Sequence, residues 1–333
     1  MQDRMFAKLC AQKPGLALGL GRVVGDGPAE IKVAGPLWSG ASETADASAR
    51  WHIGSITKTL TAVLVLQFAE RGVVDLDSPI GPYLAHGDEL HPSWQNLTLA
   101  ALLSHTSGLA ANPHRKQFPT WRDIAPELGR RRIMQELWDT NVPGRAGKFR
   151  YSNLGYMLAG HVIETKLGIA WEELILSHIA RPLGLKSLGF GAPRTPTDPK
   201  GHRRSWFSVT PIERDNPGAD NPPWLGPAGT IHLSIPDILT FGQAMLRATR
   251  GTAPEFLSQA SAELMQQPKS GDYGLGVIVE GDIIWHNGSN TMWYAQLMMD
   301  HANQSVAVVT QNAMTRVSKL DALVRKSLLP SNS

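Results

Sequence analysis

Apolar and polar positions divide the chain into stretches with different periods. From Gly15 to Gly40, in "GLALGLGRVVGDGPAEIKVAGPLWSG", two apolar runs of strand length flank the turn residues Gly25-Asp26-Gly27-Pro28, which predicts a hairpin. From Ser55 the apolar positions Ile56, Leu60, Val63, Leu64 and Phe68 recur at helical spacing up to Arg71-Gly72. That spacing predicts a buried helix with Ser55 at its head, an amphipathic pattern over Ala62 to Leu66, and a glycine stop. Between Asp75 and about Trp224 the pattern breaks into short helical pieces interrupted by Pro and Gly, with Trp94, Trp121, Trp138 and Trp171 scattered among them.

A further helix is expected in "LSIPDILTFGQAML", with Ser234 as its cap, Pro236 in its first turn and Asp237 completing a capping arrangement. Four apolar runs of strand length follow, "YGLGVIVE", "DIIWHN", "WYAQLMM" and "SVAVVTQN", and then a last helix near Val317 to Leu329. Strands at both ends of the chain must pair to bury their faces. The expected organisation is therefore a discontinuous sheet domain from residues 1–75 and 225–333, with a mainly helical domain, residues 76–224, inserted into it.

Bulk composition narrows the function classes. The 333 residues are 42% hydrophobic and 18% charged, with a net charge of +3, an ordinary globular balance that can build a sizeable core. No basic run is interleaved with aromatics as a nucleic-acid groove requires. The densest basic spot, Arg130 to Arg132, reads as a solvated helix face. The single cysteine, Cys10, excludes an intrachain disulfide and a Cys/His zinc pattern. Apolar runs fall far short of the roughly 20 residues of a membrane span. "MQDRMFAKLCAQKPG" lacks the apolar core of a secretory signal, which fits either a cytoplasmic protein or a mature sequence restarted with Met1. Gly19, Gly21 and Gly25 have the wrong spacing for a dinucleotide fingerprint, and a turn and strand follow them instead of a helix.

Three groups of residues carry candidate chemistry. Ser55 and Lys58 lie at positions i and i+3, which share one face of a helix. A serine hydroxyl becomes a useful nucleophile when a base takes its proton and donors hold the resulting oxyanion. A desolvated lysine can be that base, and the free N–H groups of a helix start can be those donors. By itself the pair is a weak signal, since a plain N-cap serine explains Ser55 as well. "RYSNLGYMLAG" places Tyr151 and Asn153 two residues apart before another helix. In an extended segment that spacing points both side chains the same way, although a buried tyrosine and an N-cap asparagine would give the same letters. The third group is His286 to Gly288 in "IIWHNGSN". There a glycine would let a substrate backbone approach a strand edge, and the histidine, taken alone, reads as a half-exposed residue at a strand end.

In this order the three groups resemble the serine β-lactamase and penicillin-binding superfamily, with its Ser-x-x-Lys, Tyr-x-Asn and Lys-Thr-Gly or His-x-Gly motifs. "LLSHTSGL", "KFRYSNLGYMLAGHVIE", "GPAGTIHLSIPDILTF" and "HNGSNTMWYA" look like its class C and esterase branch, and the resemblance covers nearly the whole chain. It implies an α/β (α+β) fold, with a central antiparallel sheet flanked by helices, a helical domain, and the active site between them. It further implies a serine hydrolase that is acylated on Ser55, with Lys58 and Tyr151 sharing the proton traffic. Asn153 would hold a substrate carbonyl and Lys58, and the oxyanion would sit between the backbone N–H groups of Ser55 and Ser289. His286 and Gly288 would line the substrate strand.

Where a β-lactamase generally has a carboxylate-binding lysine this chain has His286, which is mostly uncharged at neutral pH. The third motif therefore points away from penicillins and toward D-aminopeptidases and related peptidases and esterases. A protein that keeps the fold as a sensor or scaffold, and a true β-lactamase, are the alternatives. The expected partner is a small molecule or short peptide with an amide or ester bond. No cofactor and no metal are expected, since His86, His91 and His114 lack ligand spacing. The resemblance treats His105 and Ser107 of "SHTSGL" as part of a structural turn.

Overall fold

The computed structural model describes residues 2–13, 15–84, 91–113, 123–137, 141–205 and 208–329. His86, His114, Trp121 and Trp138 lie outside the described residues. Strand Leu18–Val24 turns at Gly25, whose φ of +53° is left-handed, and pairs antiparallel with Glu30–Ala34 in the register Leu18 to Ala34. Its other edge takes the C-terminal strand Ser305–Gln311, with Leu18 opposite Gln311. Tyr294–Asp300, Ile283–Ser289 and the short Ile278–Glu280 complete a six-stranded antiparallel sheet. Of "YGLGVIVE" only its last three residues are strand.

Alternation along the central strands feeds two cores. In Tyr294–Asp300, Tyr294 and Met298 face one side, where Leu18, Leu20, Ala307 and Val309 join Phe6, Leu9, Leu320, Leu323 and Val324. Those last five belong to the helices Gln2–Gln12 and Val317–Leu328, the first of which the sequence pattern did not predict. Ala295, Leu297 and Met299 face the other side with Val306 and Val308, against the helices Ile235–Thr249 and Thr57–Glu70. Burial on both faces is why these strands read as continuous apolar runs and not as an alternation. Gly19 and Gly21, which in sequence raised the question of a nucleotide site, give helix Ile235–Thr249 room to press on the strand: a Cβ at either would fall 2.5 Å or closer to the Ile235 side chain.

The helix after Ser55 is the buried helix expected, and the amphipathic spacing over Ala62 to Leu66 leaves no exposed face there. Every residue from Thr57 to Phe68 is buried, so this is a helix packed all round. It stops where expected: Gly72 has φ +68° and its N–H donates to Ala69 O. The capping arrangement expected at Ser234 is not made. Ser234 precedes its helix without a side-chain cap, and the Asp237 carboxylate instead accepts from the N–H and hydroxyl of Ser187 at 2.7 and 2.6 Å.

The segment between Asp75 and Trp224 holds the helices Pro126–Leu137 and Asn153–Leu167, and also the short strands Gly189–Phe190, His202–Arg204 and Val209–Pro211. Arg130 corrects the solvated-face reading. It is fully buried, with its guanidinium on the carboxylates of Glu164 and Glu172, while Arg131 and Arg132 are exposed. No described helix is long and apolar enough to cross a membrane.

Candidate active site

Ser55 sits in a single turn of 3-10 helix, Gly54–Ile56, that leads into Thr57–Glu70. It makes no side-chain cap to that helix, so the plain N-cap reading does not account for it. It is half-buried where its neighbours from Trp51 to Leu66 are all buried. Its Oγ lies 3.1 Å from Lys58 Nζ and is hydrogen-bonded to the Tyr151 phenol. The three chemistry-bearing side chains of the first two motifs therefore meet.

Lys58 is 0% exposed. Besides Ser55, its Nζ donates to Ala228 O at 2.5 Å and lies 4.9 Å from the ring centre of Tyr151 and 5.5 Å from that of Tyr156. Among the described residues no carboxylate reaches it. Burial therefore holds its pKa well below the ordinary lysine value, because the charged form loses its hydration without gaining a counter-ion. The turn Gly226–Gly229 delivers Ala228 O, and Thr61 Oγ1 anchors that turn by donating to Pro227 O at 2.8 Å.

Tyr151 moves the other way. Burial pushes its phenol up to about 12, against the hydrogen bond from Ser55. Beneath it lies a packed group of rings. The Tyr156 hydroxyl donates to Leu103 O at 2.5 Å and is hydrogen-bonded to Tyr273. Tyr273 in turn shares a 3.0 Å hydrogen bond with His286 Nε2. Two of the five tyrosines in the chain, Tyr151 and Tyr156, thus stand over one lysine, with Tyr273 behind them. Tyr156, Tyr273 and the Ala228 carbonyl were not singled out in the sequence. The one available signal was the scarcity of tyrosine combined with the position of Tyr156 five residues after Tyr151.

His286 is not a half-exposed strand end. It is 3% exposed in the middle of strand Ile283–Ser289, and burial together with the nearby Lys58 lowers its pKa to about 3. It is a neutral ring. Gly288 also has a different task from the one expected. A Cβ there would lie 1.9 Å from Ile53 O and 2.4 Å from Ser55 N, and a Cβ on Gly54, whose φ is +51°, would lie 2.2 Å from Ser289 N. The two glycines let the Ser55 turn and the strand touch backbone to backbone, so the close approach is made by the chain itself.

That contact packs the backbone of the Ser55 turn directly against the backbone of Gly288 and Ser289. The Ser289 side chain donates to Trp293 O at 2.6 Å and accepts from Thr291 N at 2.8 Å. Asn153 is less central. It is the first residue of helix Asn153–Leu167, behind the N-cap Ser152, and its Nδ2 donates to Asn112 Oδ1 at 2.9 Å. Among the described residues its hydrogen bonds do not include Lys58. His105 and Ser107 do not form a pair: the His105 ring accepts from Ser152 N at 3.0 Å, and Ser107 Oγ faces Leu109 N at 3.4 Å.

Comparison with known proteins shows the family and the fold. The family model described as Beta-lactamase matches residues 4–328. Penicillin-binding protein 4 of Amycolatopsis lactamdurans is 27% identical over 279 residues, covering 78% of this chain and 66% of that protein. The chain spans 53% to 66% of the length of the first two curated relatives it matches. Two solved structures share the fold. The octameric penicillin-binding protein homologue from Pyrococcus abyssi has a TM-score of 0.81 at 20% identity, covering 98% of this chain and 76% of that one. D-amino acid amidase from Ochrobactrum anthropi SV3 has a TM-score of 0.79 at 19% identity, covering 98% and 97%.

Proposed function

The chain belongs to the Beta-lactamase family, and from that membership we propose that it is a serine hydrolase that opens amide or ester bonds through an acyl-enzyme on Ser55. One observation carries this reading: the Ser55 hydroxyl lies 3.1 Å from an amine that is buried and, among the described residues, has no carboxylate beside it. Such an amine is held toward its neutral form and can take the serine proton as Oγ attacks the carbonyl carbon. The two proton-bearing groups are pushed apart. Lys58 is drawn toward neutrality and Tyr151 away from ionisation, so Lys58 is the base and Tyr151 passes a proton toward the leaving nitrogen or oxygen. The N–H groups of Ser55 and Ser289 hold the developing oxyanion. Water then releases the acyl group by the reverse proton path.

His286 bears on the substrate class. A neutral, buried ring supplies no cation for a substrate carboxylate at this position, which favours esters and neutral amides. The fold shared with a D-amino acid amidase supports that direction.

Intact-mass measurement after a fluorophosphonate tests the nucleophile. The wild type gains one adduct, and Ser55→Ala, folded by circular dichroism, gains none and loses hydrolysis of a short-chain p-nitrophenyl ester. Equal labelling of both proteins removes Ser55 from the reaction. A stable penicilloyl adduct or rapid penicillin turnover would move the substrate toward β-lactams.

A further inference from the structure

We propose that His105 is the positioning residue of Tyr151, a neutral imidazole whose acceptor nitrogen and main-chain carbonyl grip the backbone on both sides of the phenol. The inference deepens the hydrolase reading and rests on Tyr151 serving in proton transfer.

Two hydrogen bonds straddle the tyrosine. Arg150 N donates to His105 O at 2.8 Å, and Ser152 N donates to His105 Nδ1 at 3.0 Å. Between them the Tyr151 ring lies on the imidazole, with centroids 4.2 Å apart and planes inclined by 40°. Backbone before, ring at, and backbone after residue 151 are thus fixed by one side chain and its carbonyl. Tyr151 precedes the helix Asn153–Leu167 and has no regular structure of its own to hold it. The rest of the 105–112 segment extends the grip: Thr106 O accepts from Gly147 N at 2.8 Å, Ala111 O from Asn153 N at 2.8 Å and Ala110 O from the Ser152 hydroxyl at 2.6 Å.

Histidine fits this place for reasons that are not generic packing. Its φ of +60° is left-handed, a conformation that costs most side chains energy and that His, Asn and Asp tolerate best. Accepting at Nδ1 obliges the neutral ring to carry its proton on Nε2, which is buried with no hydrogen-bond partner among the described residues. That nitrogen lies among rings, with Tyr273 at 4.7 Å and Tyr156 at 5.1 Å between centroids. Burial, Lys58 and His286 all oppose a second proton and lower the pKa to about 2. The acceptor is therefore present at every working pH.

Substitutions separate positioning from bulk stability. Asparagine places an acceptor oxygen near the position of Nδ1 and tolerates the left-handed backbone, glutamine places it one bond further out, and leucine removes it. The measurement is kcat and KM for a short-chain p-nitrophenyl ester in wild type, His105→Asn, His105→Gln, His105→Leu, Tyr151→Phe and His105→Leu combined with Tyr151→Phe. We expect His105→Leu to lower kcat about 10- to 100-fold with KM nearly unchanged, the scale of a misplaced catalytic group. His105→Asn should recover most of that loss and His105→Gln much less, while His105→Leu should cost almost nothing once Tyr151 is Phe. Equal rates for the Asn and Gln variants overturn the proposal even if the leucine variant does not fold. So does an undiminished loss in the Tyr151→Phe background, which leaves the hydrolase reading intact. A Tyr151→Phe protein with wild-type rate removes the phenol from the mechanism and the positioning role with it, whereas activity in Ser55→Ala is the separate failure of the hydrolase reading.

Discussion

Two cations are fully buried against the same helix, Asn153–Leu167, and they have opposite fates. Arg130 meets the carboxylates of Glu164 and Glu172, with bonds to Glu172 at 3.0 and 2.7 Å. Its pKa is raised, and that of Glu164 is lowered to about 2 by the guanidinium against the pull of burial. Lys58 meets a carbonyl, a hydroxyl and the faces of two tyrosines. Its pKa is lowered. Burial is the same in both places, so the difference is the counter-charge: a buried cation with carboxylates is a permanent charge that ties helices together, and one without is a latent base.

The largest effect expected is on activity at the unpaired cation. Lys58→Met should lower kcat/KM by about 1,000-fold or more, and Tyr151→Phe by a similar order, as for the loss of a general acid or base. Their combination should cost much less than the product if, as proposed, both serve one proton transfer. Kinetics on the two single variants and the double variant check this, and fully multiplicative losses would show two independent roles. The sign of the lysine effect on stability also follows. Since the folded pKa of Lys58 lies below its unfolded value, the unfolded chain binds the extra proton. The wild type should then gain stability relative to Lys58→Met as pH rises from 7 toward 10.

At the paired cation the expected effect is on stability and not on chemistry. Arg130→Met strands two carboxylates and should lower the unfolding free energy by about 3–5 kcal/mol, the usual cost of breaking a buried pair. Ester turnover by the folded fraction should stay near wild type. Urea titration with parallel kinetics measures both, and a large loss of kcat in the folded protein would show that the two clusters are coupled.

Acid should separate the two regions by a smaller margin. His105 and His286 have folded pKa values of about 2 and 3, below the ordinary 6.5. The unfolded chain therefore takes up protons that the native one refuses, and stability falls as pH drops below about 6.5, by up to about 1.4 kcal/mol per pH unit for each ring. Glu164 contributes stability above its unfolded pKa of 4.5, which is lost only as pH falls toward about 2. Hydrogen exchange on descending from pH 7 should show the amides around Tyr151 and Tyr273 weakening before those around Arg130. Simultaneous loss in both regions would contradict the two titration ranges.

Much of this protein was legible in the letters because the information was local. The spacing of Ser55 and Lys58 puts both on one side of a turn wherever that turn lies, and Gly72 ends its helix by a property of glycine alone. The long apolar runs after Tyr273 gave their strands, and their need for partners brought the two chain ends into one sheet. Periodicity, however, reports which residues share a face and is silent on what that face meets. Hence Arg130 read as solvated until Glu164 and Glu172 closed on it, and Gly288 read as room for a substrate until the Ser55 turn filled that room. His286 read as a strand end until Tyr273 covered it. The same limit applies to the chemistry: the sequence supplied a serine, a lysine and a tyrosine in order. Only the packing that withheld a carboxylate from Lys58, set Ala228 O on its amine and gripped Tyr151 through His105 decided their protonation, because a pKa is set by neighbours brought together from distant parts of the chain.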